Sequence, residues 1–358
     1  MEINNTCNKN IQISFCLPVY NVEKFLDDCL QSILKVEGVS YEIVLIDDCS
    51  TDTSYQKLLK YATDYDNIRV FKNECNKGVS YTRNRLIEEA LGEFIWFVDP
   101  DDMIVPDTAA LFYNTAVKEG VPCVYGNYVN VLEDNHVIKT IKNSLDYRVI
   151  YNDNLTLKDG YKTINAQNLQ TDTGLVVVWQ GLISKEYLVR NGVRFYEELF
   201  LAEDLLFHYD ILLTLEKFVK FDAVCYNYRI RENSAISSGT NPKKLIKSYV
   251  NSYFLYVKFN EYLREGKYNG KNNVTSKDWL LYMAYISAID VLKTIVKIKD
   301  NQYFKQQYSK LKSEKLFEYV RKNKHMIASS SIKKRLSIWL LTRPLLLKFV
   351  RLLYKIVR

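Results

Sequence analysis

Short apolar runs alternate with helical periods along the first hundred residues. The runs are rich in β-branched residues and have the length of buried strands, which we predict at Ile11–Leu17, Tyr41–Ile46, Ile68–Phe71 and Glu93–Val98. The segments between them space their apolar residues as helices do, and we predict helices at Val22–Leu34, Ser50–Tyr61 and Val79–Ala90. This alternation is typical of an α/β fold in which helices cover a mainly parallel sheet.

The pattern is less regular beyond residue 120. We predict strands at Val121–Tyr125 and Val219–Tyr228, a hairpin and loop over 127–173, an extended start to Leu175–Ile183, and a helix at Glu203–Leu215. From about Pro242 to Val320 the periods are helical. The chain is therefore divided into an α/β domain of residues 1–240, a helical region of residues 241–330 and a basic tail of residues 331–358.

Polar residues follow each of the first four predicted strands. They are Asn21, Asp47-Asp48, Asn73–Asn76 and Asp99–Asp102. In open parallel sheets, ligands bind beyond the carboxyl ends of the strands, which all meet at one edge. We therefore expect the binding site at this edge.

The basic character of the chain is confined to its end. The formal net charge is +7, yet Ser331–Arg358 contains eight Lys or Arg residues and no Asp or Glu, which leaves −1 on the other 330 residues. The main body therefore offers no general surface for nucleic acid. Seven cysteines without a CxxC pattern favour a reducing compartment, and the polar N-terminus has no apolar signal segment. We expect a cytoplasmic protein or one bound to a membrane face.

The tail has the pattern of an amphipathic helix. Lys348, Arg351 and Lys355 fall on one helical face, and the other face is left to Leu345, Leu346, Phe349, Leu352, Leu353 and Ile356. Such a helix binds an anionic membrane surface, with its apolar side in the interface. The alternative is a helix packed on the protein with its cations in water.

The acidic run after the fourth strand has the composition of a divalent cation site. Asp99, Asp101 and Asp102 are oxygen ligands of the kind that Mg²⁺ and Mn²⁺ prefer, and Pro100 restricts the backbone between them. A cation held there could neutralise a departing diphosphate. Taken alone, the run could also be a turn whose acids cap the helix that begins near Pro106.

Four blocks along the chain together resemble a known family. They are Pro18–Asn21, Asp47–Asp52, Asn76–Gly78 with Arg83-Asn84, and Asp99–Asp102. Their order and spacing resemble family 2 glycosyltransferases of the bacterial surface-polysaccharide type, which are inverting enzymes of the GT-A fold. The resemblance covers roughly residues 11–110 and continues more weakly to about 240. It implies that residues 1–240 are the catalytic domain.

The resemblance implies roles for residues of the first four blocks. Tyr20 and Asp48 would contact the base of a nucleotide-sugar donor, and Arg83 would lie near the base or the phosphates. Asp99 would approach the ribose or the metal, and Asp101 would ligate the metal. Asp102 would orient these groups.

A general base is the second requirement of an inverting transferase, because the acceptor hydroxyl must lose its proton. Glu203-Asp204, which opens an apolar helix, resembles the acidic pair of the family, whose Asp is that base. The alternative is a pair of first-turn acids stabilised by the helix dipole. His208 shares the predicted helix face, and we interpret it as structural.

Three further segments have implied roles in substrate binding. Trp179 would line the acceptor pocket, although a core position is equally compatible with the sequence. Arg231 and Ser234 would bind the diphosphate from a loop that closes over the donor, whereas Arg229, on the other phase of the strand, would only form a salt bridge.

The resulting hypothesis is a metal-assisted inverting glycosyltransferase. It would use a nucleotide-sugar donor, such as a UDP-sugar, and a growing surface glycan or lipid-linked acceptor at the inner face of the plasma membrane. One alternative is a sugar nucleotidyltransferase, which would show a Gly-rich phosphate loop after the first strand. The other is a non-catalytic scaffold, which would be expected to lack the acidic run or the Glu-Asp pair.

Overall fold

The computed structural model describes residues 10–138, 143–151, 177–231, 242–268, 277–327, 332–343, 346–348 and 350–352. Contacts divide these residues into two compact units. The first unit contains the described residues up to 231 except 198–201, and the second contains 198–201 and the described residues from 242 onward.

Four parallel strands and the helices between them form the first half of the sheet. The strands are β1 (Ile13–Val19), β2 (Tyr41–Asp47), β3 (Ile68–Lys72) and β4 (Phe94–Phe97), in spatial order β3-β2-β1-β4. The helices are α1 (Leu26–Ile33), α2 (Ser54–Asp64) and α3 (Val79–Glu89). Most residues of β1, β2 and β4 are buried, as expected for strands covered on both faces.

Helices α1 and α2 begin four residues later than predicted because side chains bind the backbone before each helix. The backbone N–H groups of Val22 and Glu23 donate to Ser54 and Asp52. The N–H of Thr51 donates to the side-chain oxygen of Asn21. Such local side-chain bonds compete with the first helical turn.

The second half of the sheet is mixed. Its strands are β5 (Met103–Ile104), β6 (Cys123–Val131), β7 (Tyr147–Tyr151), β8 (Gly181–Ser184) and β9 (Lys217–Arg229). The order continues as β4-β8-β6-β9-β5, β7 also pairs with β9, and β6 and β9 are parallel whereas the other pairs are antiparallel. Over the described residues this makes one nine-stranded sheet, and the α/β fold is confirmed.

Helices α4 (Asp107–Glu119), α5 (Lys185–Arg190) and α6 (Glu203–Thr214) complete the first unit. Before β8, Val178–Gln180 form a 3-10 turn that follows the extended residue Val177, whereas residues 175 and 176 of the predicted extended start lie outside the described residues. Gly181 follows this turn because β8 approaches β6 very closely. A Cβ at residue 181 would lie 2.0 Å from the carbonyl oxygen of Val124.

The second unit is helical and has a core of its own. Its helices are α7 (Pro242–Glu265), α8 (Lys277–Ile295), α9 (Asn301–Ser313), α10 (Leu316–Lys322) and α11 (Ile332–Leu341), with a 3-10 turn at Lys324–Ile327. Ile338, Leu341 and Leu347 lie in the same core as residues of α8 and α10. The predicted boundaries of the helical region and the tail stay predictions.

One part of the predicted amphipathic tail is wrong. Arg351 is buried rather than on a polar face, and it donates to the carbonyl oxygens of Ile298 and Asp300 while its guanidinium lies 3.8 Å from the centre of the Phe304 ring. Leu352, predicted on the apolar side, is exposed. Residues 351 and 352 thus lie on the sides opposite to those predicted, because carbonyl groups after α8 bind the guanidinium of Arg351. Among the described helices, none is long and apolar enough to span a membrane.

Candidate active site

The acidic run turns tightly beyond the end of β4. The N–H of Asp102 donates to the carbonyl oxygen of Asp99 at 3.0 Å, and the N–H of Asp99 donates to the hydroxyl of Tyr226 on β9 at 3.0 Å. The run is therefore held by its own backbone and by the neighbouring strand. As predicted, it lies at the edge where the parallel strands end.

Arg83 links the acidic run to the predicted base. Its Nη2 lies 2.9 Å from Asp99, and its Nη1 lies 2.8 Å from Glu203 and 2.9 Å from Asp204. The side chain is only 4% exposed. Arg83 thus contacts three carboxylates, two of which lie about 120 positions away in the chain, and its predicted position near a base or phosphate stays a prediction.

Glu203 and Asp204 are the first two residues of α6. Ala202 before them has a left-handed backbone, with a φ of 59°. That conformation is unfavourable for a residue with a side chain, so the surrounding structure must impose it. The turn brings both acids onto Arg83 at the start of the helix, where the helix dipole also favours negative charge.

The charged groups around Arg83 shift one another's pKa values. Burial alone would lower the pKa of Arg83, but the carboxylates of Asp204, Asp99 and Glu203 raise it. Burial raises the pKa of Asp204 well above its usual value, Glu203 and Asp99 raise it further, and Arg83 opposes the shift. Asp204 is therefore a carboxylate with an increased tendency to accept a proton.

Asp101 forms a second ion pair, with Arg231 after the end of β9. Burial and the neighbouring charge of Asp99 raise the pKa of Asp101 to about 6. Burial, together with the charges of Asp101 and Asp99, raises the pKa of Asp102 to about 9. Its carboxyl accepts the N–H of Arg229 at 2.7 Å, in agreement with a supporting role.

Arg229 is confirmed as a salt-bridge residue. Its Nη2 lies 2.8 Å from Asp28 of α1, and its Nε donates to the carbonyl oxygen of Asp101 at 2.9 Å. The guanidinium groups of Arg229 and Arg231 both lie over the ring of Phe25, 5.1 and 5.3 Å from its centre. Arg229 thereby fixes the strand end from which Arg231 reaches the acidic run.

Asp48 is occupied by protein donors. Its Oδ1 accepts from the Asn73 amide and the N–H of Lys77, and its Oδ2 accepts from the N–H of Gly78, each at 2.8 Å. These bonds brace the loop from 73 to 78, and the predicted contact of Asp48 to a nucleotide base stays a prediction. Tyr20, at the same edge, is 45% exposed.

Trp179 is a core residue, and the prediction that it lines an acceptor pocket is wrong for this structure. The side chain is 4% exposed, and its ring stacks on Tyr226 with centroids 4.3 Å apart and on Tyr228 at 5.6 Å. Its carbonyl oxygen accepts from Trp96. The half-buried Tyr228, rather than Trp179, lies near the acidic run, whose charges raise its pKa in addition to burial.

The remaining predictions divide into one that is confirmed and one that lies outside the structure. His208 is buried, its Nδ1 lies 3.0 Å from the carbonyl oxygen of Asp204, and burial lowers its pKa to about 4. It is therefore a neutral structural histidine. Ser234 lies outside the described residues.

A divalent cation is compatible with the residues at this edge. Among the described residues, no group of three or more His, Cys, Asp or Glu side chains is arranged to hold a metal ion. A cation shared with a diphosphate needs only one or two protein carboxylates, however, and Asp99 and Asp101 offer two. In the ion pairs of Arg83 and Arg231, four carboxylates, of Asp99, Asp101, Glu203 and Asp204, face two guanidinium groups. The local excess of negative charge fits a dication.

Several residues of the site were not predicted from the sequence. Tyr226 could have been found from the period of two along β9, which also places Tyr228 on its face. No sequence pattern indicated Asp28 or Phe25 as part of the site. Asp28 is 201 positions away from its partner Arg229. Such long-range partners depend on how the sheet and helices pack.

The comparisons with known proteins agree with this architecture. Residues 14–189 match the family described as Glycosyl transferase family 2. "Glycosyltransferase GlyA" of Streptococcus pneumoniae is 28% identical over 62% of this chain, and "Cholesterol galactosyltransferase" of Borreliella burgdorferi is 26% identical over 84%. The match spans 31% of the length of GlyA and 81% of the length of the galactosyltransferase.

The fold also resembles a solved structure. The crystal structure of S. aureus TarS 1-349 in complex with UDP-GlcNAc has a TM-score of 0.63 and 20% identity, covering 97% of this chain and 93% of that chain. At this identity the likeness shows the fold, which is GT-A. Residues 14–189 of the chain thus form a region that matches Glycosyl transferase family 2, within a fold like that of TarS.

Proposed function

We propose that the chain is an inverting glycosyltransferase that moves a sugar from a UDP-sugar to a lipid-linked acceptor or a growing surface glycan. The observation that carries the proposal is the Arg83 contact to both Asp99 and the Glu203–Asp204 pair. Through it, a diphosphate-binding edge and a basic carboxylate share one site. TarS, which has the same fold, binds UDP-GlcNAc, and the cholesterol galactosyltransferase is named for a lipid acceptor.

Asp204 is the general base of the proposed reaction. Its carboxylate takes the proton from the acceptor hydroxyl as that oxygen attacks the anomeric carbon opposite the diphosphate, so the configuration inverts. The increased proton affinity of Asp204 suits this task. Arg231 has the shape for a bidentate contact to the diphosphate. A bound Mg²⁺ or Mn²⁺ would neutralise charge on the departing diphosphate, and Asp101 and Asp99 are the residues to hold it.

The test compares two acidic substitutions with a matched control. Asp204→Asn should lower kcat for transfer by about 10² to 10⁴-fold and leave binding of the UDP-sugar intact. Asp101→Asn should weaken the stabilisation by UDP-sugar and Mn²⁺ in thermal-shift measurements. Glu186→Gln, at an exposed carboxylate on α5, should behave as the wild type. Full turnover by both Asp204→Asn and Asp101→Asn would exclude the mechanism.

We also propose that the second unit binds an anionic membrane surface through α11. Ile338 and Leu341 of this helix are in the core, whereas Leu336 and Trp339 are 55% and 47% exposed. Arg343 lies 4.2 Å from the centre of the Trp339 ring. After Glu318 the chain has no Asp or Glu. An exposed tryptophan beside cations is the composition of an interfacial helix.

Vesicle sedimentation tests this second proposal. The protein should bind vesicles that contain phosphatidylglycerol more tightly than phosphatidylcholine vesicles, and Trp339→Ser should weaken the binding. Val257→Ser, at an exposed apolar residue of α7, serves as the control. Equal binding of both vesicle types, or unchanged binding by Trp339→Ser, would contradict the proposal.

A further inference from the structure

We infer that Arg83 is a positioning residue, which fixes the carboxylate of Asp204 against the acidic run so that base and donor are held in one geometry. The inference rests on the proposed function and gives Arg83 a role that differs from the donor contact implied by the family resemblance. Arg83 itself need not contact either substrate. Its contribution is the orientation of the groups that do.

The geometry of the guanidinium supports this role. Nη1 serves Glu203 and Asp204, and Nη2 serves Asp99, at distances of 2.8 to 2.9 Å. A planar guanidinium with donors on two sides can hold two carboxylate groups in a fixed relation, which the single point charge of a lysine cannot. A shift of either acid would break one of these charge-assisted bonds.

The position of Arg83 is fixed by contacts of Phe195 and Asn84. The ring of Phe195 lies 5.4 Å from the guanidinium and stacks on Phe207 of α6, with centroids 4.0 Å apart. Asn84, the next residue of α3, binds the backbone of Phe195 through both its oxygen and its amide, at 2.8 and 2.9 Å. Helices α3 and α6 are therefore locked together through Phe195, directly beside the base.

Helix α3 buries polar side chains. Thr82, Arg83 and Asn84 are consecutive and all buried. Burying a charge and an amide is costly unless they are fully partnered, and an apolar residue would serve stability at least as well. Retaining a buried arginine at this position is consistent with a demand for placement rather than for packing.

The placement also determines what the base can do. Glu203 and Asp99 repel the charge of Asp204, and Arg83 offsets this repulsion. Without Arg83, three carboxylates would face one another, and Asp204 would rotate away or hold a proton. Either outcome removes the base from the reaction without removing the donor site.

The test uses Arg83→Lys and Arg83→Ala, with Arg194→Ala as the control. Arg194 is a half-exposed arginine that forms a surface ion pair with Glu88. Both Arg83 variants should lower kcat by about 10² to 10³-fold, as for the loss of a preorganised donor, with the Kd for UDP-sugar close to that of the wild type. Free guanidinium should restore part of kcat to Arg83→Ala and none to Asp204→Asn or Arg194→Ala.

The results distinguish failure of the positioning role of Arg83 from failure of the proposed function. An unchanged kcat in both Arg83 variants, or a loss confined to the affinity for UDP-sugar, overturns the positioning role. If Arg83→Ala does not fold, Arg83→Lys decides alone, because the lysine keeps the charge and loses only the fork of donors. An active Asp204→Asn would instead overturn the proposed function, since it would leave Arg83 nothing to position.

Discussion

Asp48 and Asp204 are both acids near the carboxyl edge of the sheet, and their partners differ in kind. The carboxylate of Asp48 accepts two backbone N–H groups and one side-chain amide, which carry no net charge. The carboxylate of Asp204 shares one guanidinium with Asp99 and Glu203. One acid completes the hydrogen bonds of a loop, and the other belongs to a cluster with more negative than positive charge.

The partners of Asp48 suit a contribution to stability, whereas those of Asp204 suit the proposed transfer of a proton. Hydrogen-bond donors around Asp48 would be left without a partner if the carboxylate were removed. Around Asp204 the removal of its carboxylate ends its repulsion with Glu203 and Asp99, and Arg83 keeps these two as partners. A structural brace and a reactive group are therefore distinguished by the partners of the side chain and not by its residue type.

The largest effect on stability is expected at Asp48. Asp48→Ala should lower the free energy of unfolding by about 3 kcal/mol, because the Asn73 amide and two N–H groups lose their acceptor. Chemical denaturation measures this value. Asp204→Asn should lower it less, because Arg83 keeps Asp99 and Glu203 as partners and the repulsion of these two acids on Asp204 is lost. A reversed order of the two variants would remove the distinction between brace and reactive cluster.

A second effect on stability depends on pH and arises at His208, whose ring lies next to the carbonyl oxygen of Asp204. Burial lowers the pKa of His208 from 6.5 to about 4, so the folded protein favours the neutral ring. The unfolded chain takes up its proton first as the pH falls. Stability is therefore lost between pH 6.5 and about 4, by up to about 1.4 kcal/mol per pH unit.

His208→Asn should flatten this part of the stability curve, because asparagine keeps a donor for the carbonyl of Asp204 without titrating. The measurement is urea denaturation at a series of pH values. His136→Asn, at an exposed histidine, is the matched control and should keep the slope of the wild type. An identical slope in His208→Asn would show that His208 is not held neutral.

The smallest effect is expected at Asn21, which braces the same edge from β1. Asn21 has a left-handed backbone with a φ of 52°, and its side-chain oxygen accepts the N–H of Thr51 at 2.8 Å. Asn21→Ala should cost about 1 kcal/mol, because alanine loses the bond and disfavours the conformation. Asn21→Gly should cost less, since glycine accepts a positive φ. Equal losses in denaturation experiments would assign the whole effect to the bond.

Much of the fold could be predicted because its cause is local. Apolar runs and helical periods identified the first four strands and three helices, and the polar groups after each strand located the edge of the site. The later strands were harder to predict. β8 is only four residues long, and β7 pairs with β9, which is far away in sequence.

The candidate site was predicted in part. The acidic run and the Glu203–Asp204 pair could be identified as separate motifs, but their junction at Arg83 could not. Trp179 left two interpretations open, and only the packing of Tyr226 and Tyr228 on its ring decided for the core. In the tail, the helical period alone placed Arg351 on a polar face, whereas carbonyl oxygens after α8 bind it inside.

By itself, the sequence determined the α/β class, the edge at which the candidate site lies, and the residue types available there, because these follow from periodicity and from the chemistry of each side chain. Only the tertiary structure decided which acid serves as a brace and which belongs to the charged cluster. The reason is physical: the behaviour of a carboxylate depends on burial and on the donors and charges within a few ångströms, and packing brings those together from distant parts of the chain.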